Sequence, residues 1–354
     1  MSQTTKHFEG QFQTTEDSLN KRYFKLSIFR EPRPDHEPSQ FVDDPLGTQT
    51  YSIPGSIKIV PGGIGVRLSP VKRCIYCGSL VYAPRRDRPL SDEHIVSGAL
   101  GGNIILNEAS CKKCADYTSG VESSVLNELF WASRHRLRLR SRTQGRARKP
   151  FAFSCMVDGK TIELKLPLDR HPTMLFMPVL RTPGILTVRP RGYSGVHGLW
   201  SRWLNDLKLS HANEIFTPTL DTVRFCQFIA KIGHAFAVAA IGTDTFEPLL
   251  GDFIQRKFSQ TEQFPGCYHW IGGFAKRHPR GAALHELGLA FTDRSPVWFL
   301  SAQIRLFANL GAPVYVAVVG KLSPGLTPEQ ALARWKFPRI SLERTLDKNP
   351  AAPP

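Results

Sequence analysis

Two Cys-x-x-Cys pairs, Cys74-Ile-Tyr-Cys77 and Cys111-Lys-Lys-Cys114, constrain this chain more than any other feature. One such turn puts two thiolates on one side of a metal ion. Two turns complete the four-thiolate tetrahedron that zinc(II) prefers, with no position open for water. Cys74, Cys77, Cys111 and Cys114 therefore predict a structural zinc site. It would hold shut residues 78–110, a stretch too short to bury a core of its own. The chain has seven cysteines and starts on a polar stretch, Met1 to Glu16, without the apolar core of a signal peptide. Both features favour metal over disulfides and a cytoplasmic protein. Cys155, Cys226 and Cys267 stand alone in apolar surroundings and read as buried small hydrophobes.

Between the two turns lies Asp92-Glu93-His94-Ile95-Val96, then Ser97 to Gly102 with three glycines, then Asn103-Ile-Ile-Leu-Asn107. Ile95 and Val96 have strand character, the glycines break the chain, and Ile104 to Leu106 returns as a second short strand. After Cys114 a helix is expected, with Ser119 as N-cap and Glu122 completing a capping box. Val121, Val125, Leu126, Leu129 and Phe130 form its apolar face. The order is zinc turn, hairpin, zinc turn, helix.

That order, C-x-x-C, E-H-I-V, G-G-N, A-S-C-x-x-C and helix, resembles the HNH endonuclease family, built on the ββα-metal fold. The match covers roughly residues 74–130, about a sixth of the chain. The resemblance implies metal-dependent hydrolysis of phosphodiester bonds, with DNA as the expected substrate. It assigns His94 as general base and Glu93 as main ligand of a catalytic divalent cation, Mg²⁺ or similar. Asparagine in the hairpin loop supports the histidine, and both Asn103 and Asn107 are available, Asn103 being preferred because it follows the glycines directly. Where many members carry His or Asn after the last cysteine, this chain has Ala115. Asp116 is the nearest oxygen donor and the candidate second ligand. A zinc-stabilised nucleic-acid-binding module without catalysis is the alternative.

A formal net charge of +16 argues for a polyanionic partner. It is densest in an acid-free run that holds Arg134, Arg136, Arg138, Arg140 and Arg142, candidates for phosphate contacts. No membrane partner is expected, because the most apolar run, Ile232 to Ile241, is short and carries His234. The divisions expected are an N-terminal segment over 1–70, the HNH unit over 71–133, a basic connector over 134–149 and a C-terminal domain over 150–345. In the first, Arg22 to Arg30 reads as a strand, and Ser56–Val60 and Ile64–Leu68 as a hairpin across Pro61-Gly62-Gly63. In the last, Phe151–Val157 and Lys160–Leu166 flank an Asp-Gly turn. Asp221 to Ile241 has helical spacing, and Ala283–Thr292, Val297–Phe307 and Pro313–Lys321 read as strands. The fold class is α+β, a zinc-stapled ββα unit followed by an antiparallel sheet with helices on it.

Overall fold

The computed structural model describes residues 12–16, 22–27, 50–52, 57–60, 65–84, 87–137, 139, 151–157, 160–167, 171, 173–187, 193–202, 212–217, 221–256, 266–274 and 279–337. The fold is α+β, built on antiparallel sheets. In the largest sheet, His285–Arg294, Val297–Leu306 and Val314–Leu322 run side by side as a meander. All three lie within two residues of the strands read from the sequence. Phe246–Pro248 and Ile271–Phe274 join the outer side of Val314–Leu322, and Thr50–Ser52 and Ile57–Ile59 join the far side of His285–Arg294.

The core helix, Thr222–Ile241, packs on this sheet. It starts where the Asp221 carboxylate accepts from the Arg224 N–H at 2.9 Å, which satisfies one of the orphan donors of the first turn. Its length and composition would suit a membrane span, but almost the whole of it is buried inside the protein. Gly233 allows the close approach: a Cβ there would stand 2.9 Å from the Ala317 Cβ and 3.2 Å from that of Ala302. The expected hairpin Phe151–Val157 with Lys160–Leu166 forms, and pairs through Ala212–Thr217 with Arg22–Ser27.

Two expectations are corrected. Ser56–Val60 and Ile64–Leu68 do not pair with each other. Ile57–Ile59 adds to the large sheet, where Ile57 and Ile59 are buried, and Val66–Leu68 runs parallel to Ile104–Leu106. The helix after the second cysteine turn begins earlier than its capping signal suggested. It spans Lys112–Ser124 with Cys111 as N-cap, so Ser119 sits mid-helix and exposed. The second Cys-x-x-Cys turn is itself the first helical turn, since the Ala115 N–H donates to the Cys111 carbonyl at 2.9 Å. The cysteine unit also shares one continuous apolar core with the C-terminal region. Phe130 packs against Phe225, Phe228 and Phe307.

Candidate functional site

The four cysteines converge. Their sulfurs all lie within 4.8 Å of one another. Zn–S bonds of about 2.3 Å in a tetrahedron put neighbouring sulfurs about 3.8 Å apart, and Cys77 and Cys111 Sγ stand 3.7 Å apart. Four thiols this close interfere with one another's protons. The Cys74 thiol is held down to about 4, chiefly by its hydrogen bond with Cys114, and the Cys114 thiol is pushed up by the same contact. The donor set fits a single soft divalent ion, structural zinc in the closed form with no catalytic position.

The chain around the sulfurs is fixed from both sides. The Cys74 N–H donates to Ser79 O at 2.7 Å, Gly78 N–H to Cys74 O at 2.8 Å, and Ile75 N–H to Ala109 O at 2.8 Å. From the C-terminal region, His234 Nε2 donates to Ile75 O at 2.6 Å and Gln255 Nε2 to Tyr76 O at 3.0 Å. Burial lowers the pKa of His234, which keeps it neutral with its proton on Nε2. Gly251 lets its helix come this near, as a Cβ would stand 2.9 Å from Tyr76 O.

His94 ends the strand Ser91–His94, which pairs with Ile104–Ser110. The helix Lys112–Ser124 follows, so strand, turn, strand and helix come in that order, but the first strand is Ser91–His94, and Ile95 and Val96, read as strand from the sequence, form a bend after it. His94 is partly exposed, and its ring lies against Gly98, where a Cβ would be 3.8 Å from its Nε2. The turn behind it is tightly specified. A Cβ at Gly102 would fall 1.9 Å from Val96 O, and Gly101 has φ +85°. Two side chains from outside the hairpin hold the carbonyls of this turn. Arg134 Nε donates to Ala99 O at 3.1 Å, and His285 Nε2 donates to Leu100 O at 2.8 Å.

Strand alternation separates Glu93 from His94. Glu93 points into the protein, where Lys231 Nζ lies 2.6 Å from its Oε1. The same ammonium reaches Glu122 Oε1 at 2.7 Å and also donates to the His94 carbonyl. Lys231 is 1% exposed and Glu93 7%. Burial pushes the Glu93 carboxyl up, and Lys231 opposes it only in part. Asp116 lies on the exposed side of its helix, 2.5 Å from Lys112 Nζ. Asp92 is paired with Arg67 at 2.7 Å. Among the described residues the four cysteines are the one group that brings three or more such donors together. Glu93 is engaged by a buried ammonium and Asp116 by a surface lysine, and Ala115 between Cys114 and Asp116 offers no side-chain donor.

Asn103 sits just after the glycines, with its carbonyl accepting from the Val66 N–H at 2.7 Å. The Asn107 amide is committed elsewhere, donating to Leu68 O at 2.6 Å and accepting from Arg67 at 2.7 Å. Arg134 is turned inward. Besides Ala99 it reaches Leu126 O at 3.0 Å, a carbonyl at the π turn Val125–Leu129 that breaks the helical ladder. Its guanidinium is therefore a strut and does not face a solvent-borne phosphate. Arg136 ends the helix Trp131–Arg136. Its side chain, with Arg138, Arg140 and Arg142, lies outside the described residues. Cys226 and Cys267 are buried as expected, with their thiols in contact with each other, and the Cys155 side chain is outside the described residues.

Sequence reading missed the polar stripe on the core helix. Arg224, Gln227, Lys231 and His234 follow at spacings of three, four and three on an otherwise apolar helix. Gln227 Nε2 donates to Phe253 O at 3.0 Å and to Tyr117 Oη at 3.3 Å, and Arg224 reaches Tyr117 Oη at 3.4 Å. The spacing alone could have marked this face as a docking face. No family model, no curated protein and no solved structure matches this chain.

Proposed function

We propose that the protein is an HNH-type endonuclease that hydrolyses phosphodiester bonds in DNA, with His94 as general base and zinc on the four cysteines as a structural element. The observation that carries this reading is the setting of His94. It ends a strand between two converging cysteine turns, partly open to solvent, beside a glycine turn that two buried side chains lock. An imidazole held this way can take a proton from an attacking water near neutral pH. Asn103, fixed through its backbone just beyond the glycines, is the loop residue that supports it. Exposed Lys72, Arg73 and Lys113 beside the cysteine turns supply charge for the phosphate backbone, and the arginine run that holds Arg136, Arg138, Arg140 and Arg142 adds to the charge of the chain. Arg134, buried and bonded to two backbone carbonyls, is left out of this proposed surface.

The test is plasmid nicking by the zinc-loaded protein. Wild type is expected to nick, and His94→Ala to abolish nicking while zinc content and DNA affinity stay unchanged. Nicking that survives in His94→Ala overturns the assignment. A second reading, a zinc-stabilised DNA-binding module without catalysis, is favoured by the Glu93–Lys231 pair and by Ala115. It predicts salt-dependent binding with no cleavage by wild type under any divalent ion.

A further inference from the structure

We propose that Lys231 is the resident cation of the acid–histidine centre, a positioning residue that holds the His94 turn from the core helix and takes up the Glu93 carboxylate, so that Glu93 ligates no divalent ion. This deepens the nuclease reading and rests on it only for the role of His94. The ammonium has three donors, and three acceptors surround it: Glu93 Oε1 at 2.6 Å, Glu122 Oε1 at 2.7 Å and the His94 carbonyl. The acceptors come from two elements of the unit. Glu93 and His94 are consecutive on the strand, and Glu122 comes from the helix that carries Cys114.

One side chain of the C-terminal region therefore ties strand and helix together at the base of the turn. Burial works against its charge, but the two carboxylates outweigh burial and hold its pKa above the ordinary lysine range. A magnesium ion keeps several waters and wants near-octahedral geometry. Glu93, 7% exposed, has no such surroundings to offer. A tethered ammonium meets the same carboxylate charge without waters. It cannot lower the pKa of a bound water, so its work is placement.

Two measurements decide the matter. In the first, Mn²⁺ bound by the zinc-loaded full chain is counted from the electron paramagnetic resonance of the free ion, for wild type and for Glu93→Gln. Mn²⁺ is a hard ion and does not compete for four thiolates. Equal counts in the two proteins are expected. An equivalent of Mn²⁺ that wild type holds and Glu93→Gln loses overturns the proposal. In the second, amide hydrogen exchange over 94–102 is compared between wild type and the charge-neutral variant Lys231→Met/Glu93→Gln/Glu122→Gln, chosen because Lys231→Ala alone leaves two buried carboxylates without a cation. Losing charge-assisted bonds should speed exchange there about tenfold or more, with 74–78 unchanged. Unchanged exchange over 94–102 overturns the positioning role. A protein that nicks only with Mn²⁺ and loses both the ion and nicking in Glu93→Gln sinks this proposal and keeps the nuclease. One that never nicks yet shows equal Mn²⁺ counts does the reverse.

Discussion

Replacing Lys231 by alanine would leave Glu93 and Glu122 facing each other with no cation between them. Removing one partner of a buried ion pair costs about 3–5 kcal/mol, and urea unfolding of Lys231→Ala should show a loss of that order. The neutral triple variant should lose far less, since a buried charge network replaced by polar or apolar groups of similar volume is close to neutral. At this scale the sequence was half legible. The four cysteines converge as their spacing predicts. The inward turn of Glu93 was not legible, because an acid beside a histidine says nothing about which way a strand turns it, and its partner lies 138 positions away (231 − 93). The inward turn of Arg134 was not legible for a related reason. A run of arginines looks solvated, yet a π turn supplied an inward acceptor for one of them.

The turn between the two short strands depends on an uncharged imidazole from another element. His285 donates from Nε2 to Leu100 O and accepts the Phe307 N–H at Nδ1 at 3.1 Å, so both nitrogens are used by the neutral ring. Burial lowers its pKa from 6.5 to about 4. Between those values the unfolded chain takes up a proton that the folded chain refuses. Stability is therefore full above pH 6.5 and falls as pH drops towards 4, by about 3 kcal/mol for this residue. His234, also lowered by burial, adds in the same direction. Glu93 works the other way, its raised pKa favouring the fold at low pH and losing that contribution as pH rises through the folded value. Urea unfolding measured from pH 7 to 4 should show the net fall, and His285→Gln should flatten the slope. Helices and strands of the C-terminal region were legible because their periodicity is local. The helix start at Cys111 was not, because a side-chain capping signal at Ser119 competed with a metal turn that supplies its own helical geometry.

Across the whole molecule, the shared core couples metal to fold. Ile75 and Tyr76 in the first cysteine turn belong to the same apolar cluster as Phe225 and Leu300. Stripping zinc with a strong chelator should thus lower the melting temperature of the full chain in a single transition. Cys114→Ser should do the same without chelator, as read by calorimetry beside a zinc assay. A separate low-temperature transition for the cysteine unit would contradict the shared core. The sequence suggested separable domains because composition changes at the arginine run. Docking is carried by contacts between residues more than 100 positions apart, such as Lys231 with Glu122, which no local pattern reveals. The two struts on the glycine turn, one from a helix and one from the large sheet, carry a last implication. A peptide cut out at 71–133 would keep its thiols and its imidazole but lose the sheet's grip on the loop. Grafting this hairpin into a foreign scaffold would transfer the letters of the motif without the posture in which His94 is held.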